Sequence, residues 1–222
     1  MSTVKFLLTG AENTGKSTNA AKIEDSLTIS FDPKKYPFKK PHINTNEVTT
    51  VDELTTRINT AIIAYKDKLG EFPKTVVFDT VTAFYTRLIK YSNDRFNGFD
   101  VHANINKETL AFNFYVEDTL IKNGVNVVIV AHTAYDKDNG KWYVPATGAF
   151  KDSGSWLGAV DDASYLEARK AKQHVFHNDT KYPTRTTIDD IPEKQLVSEW
   201  DITKHLATLS KQASDNAEFD LS

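Results

Sequence analysis

The residues best suited to chemistry lie near the start of the chain, in a segment with the form Gly, four residues, then Gly-Lys-Ser. The segment reads Gly10-Ala11-Glu12-Asn13-Thr14-Gly15-Lys16-Ser17-Thr18. Glycines let a backbone wrap closely around a polyphosphate, so that several N–H groups converge on its oxygens. In such a loop the Lys16 amine can reach the β- and γ-phosphates, and the Ser17 hydroxyl can ligate Mg²⁺. The segment therefore predicts a site for a nucleoside polyphosphate with Mg²⁺.

The sequence on either side of this segment supports that prediction. Residues 4–8 (Val-Lys-Phe-Leu-Leu) form a short apolar run typical of a strand, and residues 19–24 are typical of a helix opening. A phosphate-binding loop needs this strand–loop–helix context because the helix N-terminus adds favourable partial positive charge. The alternative is a glycine-rich turn that only connects the two elements.

A second candidate is the carboxylate at the end of a buried-strand pattern. Residues 74–80 read Lys-Thr-Val-Val-Phe-Asp-Thr, an apolar run that ends at Asp79. In P-loop proteins such a carboxylate lies beside the phosphates and holds the Mg²⁺ shell. The alternative is that Asp79 only caps the helix that follows. Its position some sixty residues after the glycine-rich segment, with a helix between them, favours the metal role.

A third candidate is the histidine that ends the next strand pattern. Residues 125–131 are almost entirely apolar and are followed by His132. A polar residue at the tip of a central strand can contact the γ-phosphate or its attacking water and so report which nucleotide is bound. The alternative is a local hydrogen bond that caps the strand end.

Residues 135–143 then predict a hairpin turned at Asn139-Gly140, and residues 144–158 predict a loop that couples the nucleotide to a ligand.

A lysine-rich segment follows the second predicted strand, which covers residues 26–31. Residues 34–40 read Lys-Lys-Tyr-Pro-Phe-Lys-Lys, with four lysines around two aromatic residues and a proline. Such a segment can contact phosphates and stack a base. The alternative, which we favour from the sequence, is a solvated loop whose lysines extend into water.

Composition restricts the classes of protein to consider. The chain has 222 residues, a formal net charge of −3 and no cysteine. Disulfides and thiolate zinc sites are therefore excluded. We find no leader-like segment and no apolar run long enough to span a bilayer, and we expect a cytoplasmic protein without membrane association. The small negative charge does not indicate nucleic-acid binding, which depends on a local basic surface.

The chain predicts one domain and a short tail. Residues 1–210 are long enough for one sizeable core, and residues 211–222 are acidic and predicted to be disordered. Such a tail is a candidate segment for a protein partner. The alternative is that it only aids solubility.

The order of the predicted elements indicates an α/β fold. Helical spacing of apolar residues predicts helices over residues 50–69, 81–91, 107–122 and 193–210, with a Thr50–Glu53 capping box and an Asn106 cap. A polar loop is predicted over residues 92–100. Strands and helices alternate, which predicts a mainly parallel sheet with helices on both faces and a nucleotide at the carboxyl ends of the strands.

These residues resemble those of the RecA-type branch of P-loop ATPases, and more narrowly the short phage RecA-like proteins that act as single-strand annealing recombinases. The resemblance spans about residues 3–190. Glu12 is the RecA-like third residue of the P-loop, and Val-Val-Phe-Asp at 76–79 matches the Walker B strand. Val-Ile-Val-Ala-His at 128–132 matches the sensor strand, and residues 145–166 match the loop and strand after it.

The resemblance implies a site for ATP and Mg²⁺. The implied nucleotide-binding residues are Gly10, Asn13, Thr14, Gly15, Lys16, Ser17, Thr18 and Tyr36, the last stacked on adenine. The implied metal ligands are Ser17 and Asp79, and the implied catalytic set is Lys16, Asp32, Asp79 and His132. RecA-like proteins place a water-activating Glu just past the second strand, and in this chain the shorter Asp32 holds that place.

The resemblance also implies partners and a location. Single-stranded DNA would bind to loops near residues 93–104 and 133–155, and the chain would form a homo-oligomer. Arg185 of a neighbouring subunit would stabilise the transferred phosphoryl group. A phage-encoded protein of this kind would lie in the host cytoplasm.

A small-molecule kinase or a nucleotide switch without DNA is the second hypothesis. The size suits a nucleoside-monophosphate kinase. Such kinases usually need an arginine-rich lid, whereas the arginines of this chain are scattered, at Arg57, Arg87, Arg95, Arg169 and Arg185.

Overall fold

An eight-stranded sheet runs through the centre of the computed structural model, which describes residues 2–147, 155–168 and 170–217. The strands are β1 (Lys5–Gly10), β2 (Ser26–Ser30), β3 (His42–Asn44), β4 (Thr75–Asp79), β5 (Asn126–His132), β6 (Ala134–Asp136), β7 (Lys141–Tyr143), β8 (Asp162–Leu166), β9 (His174–Phe176) and β10 (Lys194–Leu196). The described helices are α1 (Lys16–Ala20), α2 (Val51–Leu69), α3 (Val81–Arg95), α4 (Phe99–Tyr115), α5 (Ser155–Ala159) and α6 (Ile202–Ala217). A π-helical segment, Val116–Ile121, continues α4.

The strand order is β10-β9-β8-β1-β5-β4-β2-β3, and β6 pairs with β7 in a separate hairpin. Six neighbouring strands, from β8 to β3, are parallel, whereas β9 and β10 add antiparallel pairs at one edge. Strands β1, β2, β4, β5 and β8 are buried on both faces, whereas the edge strand β3 is largely exposed. Burial on both faces explains the nearly continuous apolar runs of β1, β4 and β5. The predicted α/β fold with a mainly parallel sheet is confirmed.

Two hydrophobic layers cover the two faces of the sheet. Leu7 of β1 packs with residues of α2, α3 and α4, including Leu54, Phe84 and Phe112. Its neighbours Phe6 and Leu8 point the other way and pack with residues of α1 and α6. This alternation follows from the two-residue period of a strand. The helices therefore lie on both faces, as the predicted right-handed crossovers require.

The predicted polar loop over residues 92–100 is mostly helical, and this prediction was wrong. Helix α3 continues to Arg95 and α4 begins at Phe99, with Gly98 at a φ of 55° in the short connection. The Asn104 amide donates to the Ser92 hydroxyl across this helical hairpin at 2.9 Å. Asn106, predicted as a helix cap, lies inside α4. Tertiary pairing of the two helices overrides the local polar composition.

Helix α2 has the predicted start but a different cap. The Thr50 side chain makes no capping hydrogen bond. Instead the buried Glu108 carboxylate of α4 accepts a hydrogen bond from the Val51 N–H at 2.6 Å. A carboxylate at a helix N-terminus is favoured by the helix dipole. The predicted local capping box is therefore replaced by a contact from a residue 57 positions away.

The last predicted helix, over residues 193–210, was wrong at both ends. Its first part forms β10, which pairs with β9. Helix α6 begins at Ile202, where the Asp201 carboxylate accepts from the Thr203 and Lys204 N–H groups. It continues to Ala217, so residues 211–217 of the predicted disordered tail are helical. The rest of that tail, residues 218–222, lies outside the described residues.

Candidate nucleotide-binding site

The glycine-rich segment forms a tight loop between β1 and α1. Gly10 has a φ of 153°, and a Cβ there would lie 2.6 Å from the Leu166 carbonyl oxygen. Gly15 has a φ of 84° at the start of α1. Side chains rarely adopt such a backbone, and a Cβ at Gly10 would also clash. The loop therefore needs glycine at both positions, as the motif predicts.

Lys16 is buried inside this loop, with 4% of its surface exposed. Its Nζ donates to the carbonyl oxygens of Gly10 at 2.9 Å and Ala11 at 2.6 Å. Burial lowers the pKa of Lys16 to about 8, against the opposing effect of the Asp79 and Glu12 carboxylates. The amine is therefore still charged at pH 7, and its bonds to neutral carbonyls leave it able to turn to an anion.

Asp79 lies at the tip of β4, and the peptide bond that follows it is cis. The Ser17 hydroxyl donates to Asp79 Oδ1 at 3.0 Å across the start of α1. Burial raises the pKa of Asp79 to about 6, although the Ser17 hydrogen bond and the Lys16 charge oppose the shift. The two predicted metal ligands are therefore in direct contact, although they are 62 positions apart in the chain.

His132 lies between these two groups because β5 lies between β1 and β4 in the sheet. Its Cα is paired with that of Gly10 in the parallel register. The His132 N–H donates to the Thr82 hydroxyl at 3.0 Å, while the imidazole Nδ1 is buried with no hydrogen-bond partner among the described residues. Burial, followed by the Lys16 charge, lowers the pKa of His132. A neutral imidazole thus lies at the strand tip, where the sensor role predicts it.

A single cleft of about 590 Å³ joins the predicted residues. Its lining includes Asn13, Thr14, Gly15, Lys16, Ser17, Thr18, Ser30, Asp32, Lys34, Lys35, Tyr36, Pro37, Phe38, Asp79, Thr80 and His132. Gly10 is absent from this lining and shapes the loop from β1. The other predicted nucleotide, metal and catalytic residues all line the same cleft.

Asp32 and Tyr36 enter the cleft from the segment after β2. The exposed Asp32 carboxylate accepts a hydrogen bond from the Lys34 N–H at 2.8 Å. The Tyr36 ring lies 5.3 Å from Phe38 and 4.7 Å from His42 between ring centres. Its hydroxyl shares a hydrogen bond of 3.2 Å with Thr28. The roles predicted for Asp32 in water activation and for Tyr36 in adenine stacking stay predictions.

The lysine-rich segment contributes more to the cleft than the sequence suggests. Lys34, Lys35, Pro37 and Phe38 are part of the lining. The sequence interpretation of this segment as a solvated loop therefore holds only for the side that faces away from the cleft.

Ser30 and Thr80, which the sequence reasoning missed, also line the cleft. Both lie at or just past the carboxyl ends of strands, and that position was the available signal.

Of the three elements predicted to contact DNA or phosphate, two do not line the cleft and one lies partly outside the described residues. Residues 93–104 belong mostly to α3 and α4 rather than to a loop at the cleft. Of residues 133–155, the described part forms the β6–β7 hairpin, whereas residues 148–154 lie outside the described residues. Arg185 is bound through its backbone to Ala163 and does not line the cleft.

The residues at the loop fit a magnesium-bound nucleotide. Mg²⁺ prefers oxygen ligands, and Ser17 Oγ and Asp79 Oδ1 offer two oxygens 3.0 Å apart. Lys16 supplies a buried cation within the loop, and Asn13, Thr14 and Gly15 of the same loop line the cleft where phosphate oxygens would lie. When bound, Mg²⁺ would neutralise phosphate charge. The groups that would hold it are Ser17 and Asp79, and those that would hold the phosphates are Lys16 and the loop N–H groups.

The parallel sheet, the loop and the Ser17–Asp79 contact define a P-loop nucleotide-binding domain. Residues 2–181 match the family model described as an AAA domain, and the chain belongs to that family. A search of curated proteins finds no match. Within the described residues there is no helix whose length and apolar character would let it cross a lipid bilayer.

Proposed function

We propose that this protein binds ATP with Mg²⁺ in the cleft, binds single-stranded DNA through the β6–β7 hairpin, and promotes annealing of complementary strands as a homo-oligomer. The observation that carries the proposal is the direct chain connection between the cleft and an aromatic, lysine-bearing hairpin. His132 ends β5 inside the cleft, and β6 begins two residues later at Ala134. A bound nucleotide and a ligand on the hairpin would therefore act on adjoining backbone.

The hairpin has the side chains that single-stranded nucleic acid requires. Tyr135 and Tyr143 are 46% and 49% exposed, which is unusual for large hydrophobic side chains. Lys137 and Lys141 are exposed on the same hairpin. Aromatic faces stack bases with little sequence preference, and lysines bind the backbone phosphates. The hairpin also carries two aspartates, which balance its two lysines, so the exposed aromatic rings are what support a single-stranded DNA ligand.

A shared hydrogen-bond acceptor couples the hairpin to the phosphate site. The Gly10 carbonyl oxygen accepts from Lys16 Nζ at 2.9 Å and from the Thr133 N–H at 3.2 Å. Thr133 is the residue that separates β5 from the hairpin. A phosphate that draws Lys16 away from Gly10 leaves that oxygen to Thr133 alone. Nucleotide binding thus changes the hydrogen bonding at the base of the hairpin, which supports ATP-dependent ordering of a DNA surface.

The cleft gives less support to a small-molecule kinase. Its described lining includes Lys16, Lys34 and Lys35 but no arginine. Phosphoryl acceptors are usually held by bidentate arginine contacts, which lysine cannot replace geometrically. A coupled phosphotransfer screen over nucleotides checks this directly, and transfer to any acceptor would favour the kinase hypothesis.

The hairpin is tested by removing its exposed rings. The double substitution Tyr135→Ala and Tyr143→Ala should weaken binding of a labelled single-stranded oligonucleotide by roughly tenfold or more, since each stacked base contributes about 1–3 kcal/mol. The matched control is Phe72→Ala. Phe72 is also an exposed aromatic residue, at 51%, but it follows α2 and is not part of the hairpin. Fluorescence anisotropy at low salt gives the affinities. Equal losses in both variants, or none in either, would contradict the proposal.

A further inference from the structure

A second concave surface lies away from the nucleotide loop, between the edge strand β3 and helix α2. We call it the β3–α2 groove, and its volume is about 510 Å³. Its lining includes Leu27, Phe38, Lys39, Lys40, Pro41, His42, Ile43, Ala61, Ala64, Tyr65, Lys68 and Leu69. Apart from Phe38, none of these residues lines the nucleotide cleft.

The groove combines an apolar floor with a positive rim. Leu27, Ile43 and Ala61 supply aliphatic surface inside it, while Lys39 and Lys68 are exposed lysines on its lining. The described lining includes no acidic residue. Its occupant should therefore offer apolar side chains together with carboxylates.

Strand β3 offers backbone hydrogen bonds beside this groove. It is the last strand of the sheet and pairs only with β2 among the described residues. The Pro41 carbonyl and the Thr45 N–H bond to β2. Alternate residues of a strand direct their backbone groups to opposite sides, so those of His42 and Asn44 face away from the sheet. An unpaired edge of this kind accepts an added strand.

From this surface we infer that the β3–α2 groove binds the acidic, apolar segment at residues 218–221 of a second copy of the chain. That segment reads Glu-Phe-Asp-Leu. In an extended conformation Phe219 and Leu221 fall on one side and Glu218 and Asp220 on the other. The two apolar side chains enter the groove, and the carboxylates meet the lysine rim. The alternation of apolar and acidic side chains in the segment matches the apolar floor of the groove and its lysine rim.

The occupant is assigned to a second copy because the chain's own segment follows a helix on the opposite face of the sheet. Helix α6 packs against Phe6 of β1, and its Ser214 is bonded to Ser2, on the face of the sheet opposite α2. Strands β1 and β3 are four positions apart, or about 19 Å at the usual strand spacing. Residues 218–222 span at most about 18 Å when extended. They would also have to cross to the other face.

Assembly through the groove is connected to the nucleotide cleft by one side chain. Phe38 lines both the cleft and the groove. Its ring packs edge-on against Tyr36 of the cleft at 5.3 Å. A segment seated against Phe38 therefore supports one wall of the cleft. By linkage, bound ATP then strengthens association to the same degree that association strengthens ATP binding.

A charge swap on the full chain tests the inference. One variant carries Lys39→Glu and Lys68→Glu in the groove, and the other carries Glu218→Lys and Asp220→Lys in the segment. Sedimentation velocity over a concentration series should show association of the wild-type chain, with a midpoint raised about tenfold or more in either variant alone. A one-to-one mixture should regain association, because each positive segment then meets a negative groove and the reverse. Circular dichroism and ATP binding confirm that both variants are folded.

Several results would overturn the inference. These are a wild-type chain that stays monomeric, a mixture that does not regain association, and a loss of association in the groove variant but not in the segment variant. A groove variant that loses DNA affinity with unchanged sedimentation would assign the surface to nucleic acid instead. The outcome is independent of the proposed DNA function, since association is measured without DNA.

Discussion

Two buried charges, Lys16 and Asp79, lie at the base of the cleft, and each is held by contacts weaker than those a ligand would offer. Lys16 donates to two backbone carbonyls, and Asp79 accepts from the Ser17 hydroxyl. Burying a charge beside neutral partners costs stability. A nucleotide with Mg²⁺ would replace these contacts by full charges, so the site is prepared for binding at some cost to the fold.

Replacing Lys16 should weaken ATP binding strongly. Lys16→Ala removes a charged hydrogen-bond donor with a typical contribution of about 1.5–3 kcal/mol, which corresponds to roughly 10- to 150-fold in affinity. Binding of a fluorescent ATP analogue gives the affinities. The matched control is Lys22→Ala, because Lys22 follows α1 and its exposed amine donates to Asn19 Oδ1. Similar affinities for the two variants would exclude the predicted role of Lys16.

Replacing Asp79 should stabilise the protein while removing its Mg²⁺ response. The folded-state pKa of Asp79, about 6, lies above its unfolded value of 3.8, so the ionised side chain lowers stability at neutral pH. Asp79→Asn should therefore raise the free energy of unfolding at pH 7 by about 1–3 kcal/mol. The gain should shrink as pH falls through about 6 and vanish near 3.8, where the native carboxyl is also neutral.

Urea unfolding at several pH values, without nucleotide or Mg²⁺, measures this gain. The exposed Asp67 of α2 provides the control, and Asp67→Asn should leave the free energy of unfolding nearly unchanged. The Asp79→Asn variant should also lose any Mg²⁺ enhancement of ATP binding. A variant less stable than the wild type at every pH would contradict the cost of the buried charge, and one that keeps its Mg²⁺ response would contradict the metal role.

At the scale of elements, the central strands were predicted well, whereas β3, β10 and several helix ends were not. Strands β1, β4 and β5 are buried on both faces, so their sequences carry the signal as nearly unbroken apolar runs. Helix ends depend on partners that are remote in sequence. Glu108 caps α2, and the Ser2 N–H donates to the Ser214 hydroxyl near the end of α6. No local sequence pattern indicates these two contacts, and the capping-box pattern predicted a cap at Thr50 instead.

The cap on α2 gives a direct comparison. Glu108→Ala removes the carboxylate that accepts from the Val51 N–H, and it should lower the free energy of unfolding by about 1–3 kcal/mol. Thr50→Ala should cost less than about 0.5 kcal/mol, since its side chain makes no capping bond. Urea denaturation of both variants measures the difference. A larger loss in Thr50→Ala would restore the local capping box.

The β6–β7 hairpin shows what local chemistry can predict. Its turn at Asn139-Gly140 is a strong short-range signal, and the structure has the hairpin as predicted. Its position beside the cleft could not be predicted in the same way, because Thr133 and Gly10 meet only through the pairing of β5 with β1.

At the scale of the whole molecule, strand order brings the site together. Lys16 was recognisable from the glycine-rich motif, and Asp79 and His132 were recognisable because each follows an apolar run. That β5 would lie between β1 and β4 was not recognisable, since strand order depends on non-local pairing. Strand β10 and helix α6 lie outside the strong motifs, and there the sequence prediction was least accurate.

The central claim, that nucleotide controls binding of single-stranded DNA, is tested most directly by one titration. A fluorescent single-stranded oligonucleotide is titrated with wild type and Lys16→Ala, with and without ATP and Mg²⁺, across a salt series. We predict salt-sensitive binding that ATP strengthens in the wild type but not in the variant. No affinity at low salt in any nucleotide state, while ATP itself still binds, would contradict the DNA-binding account.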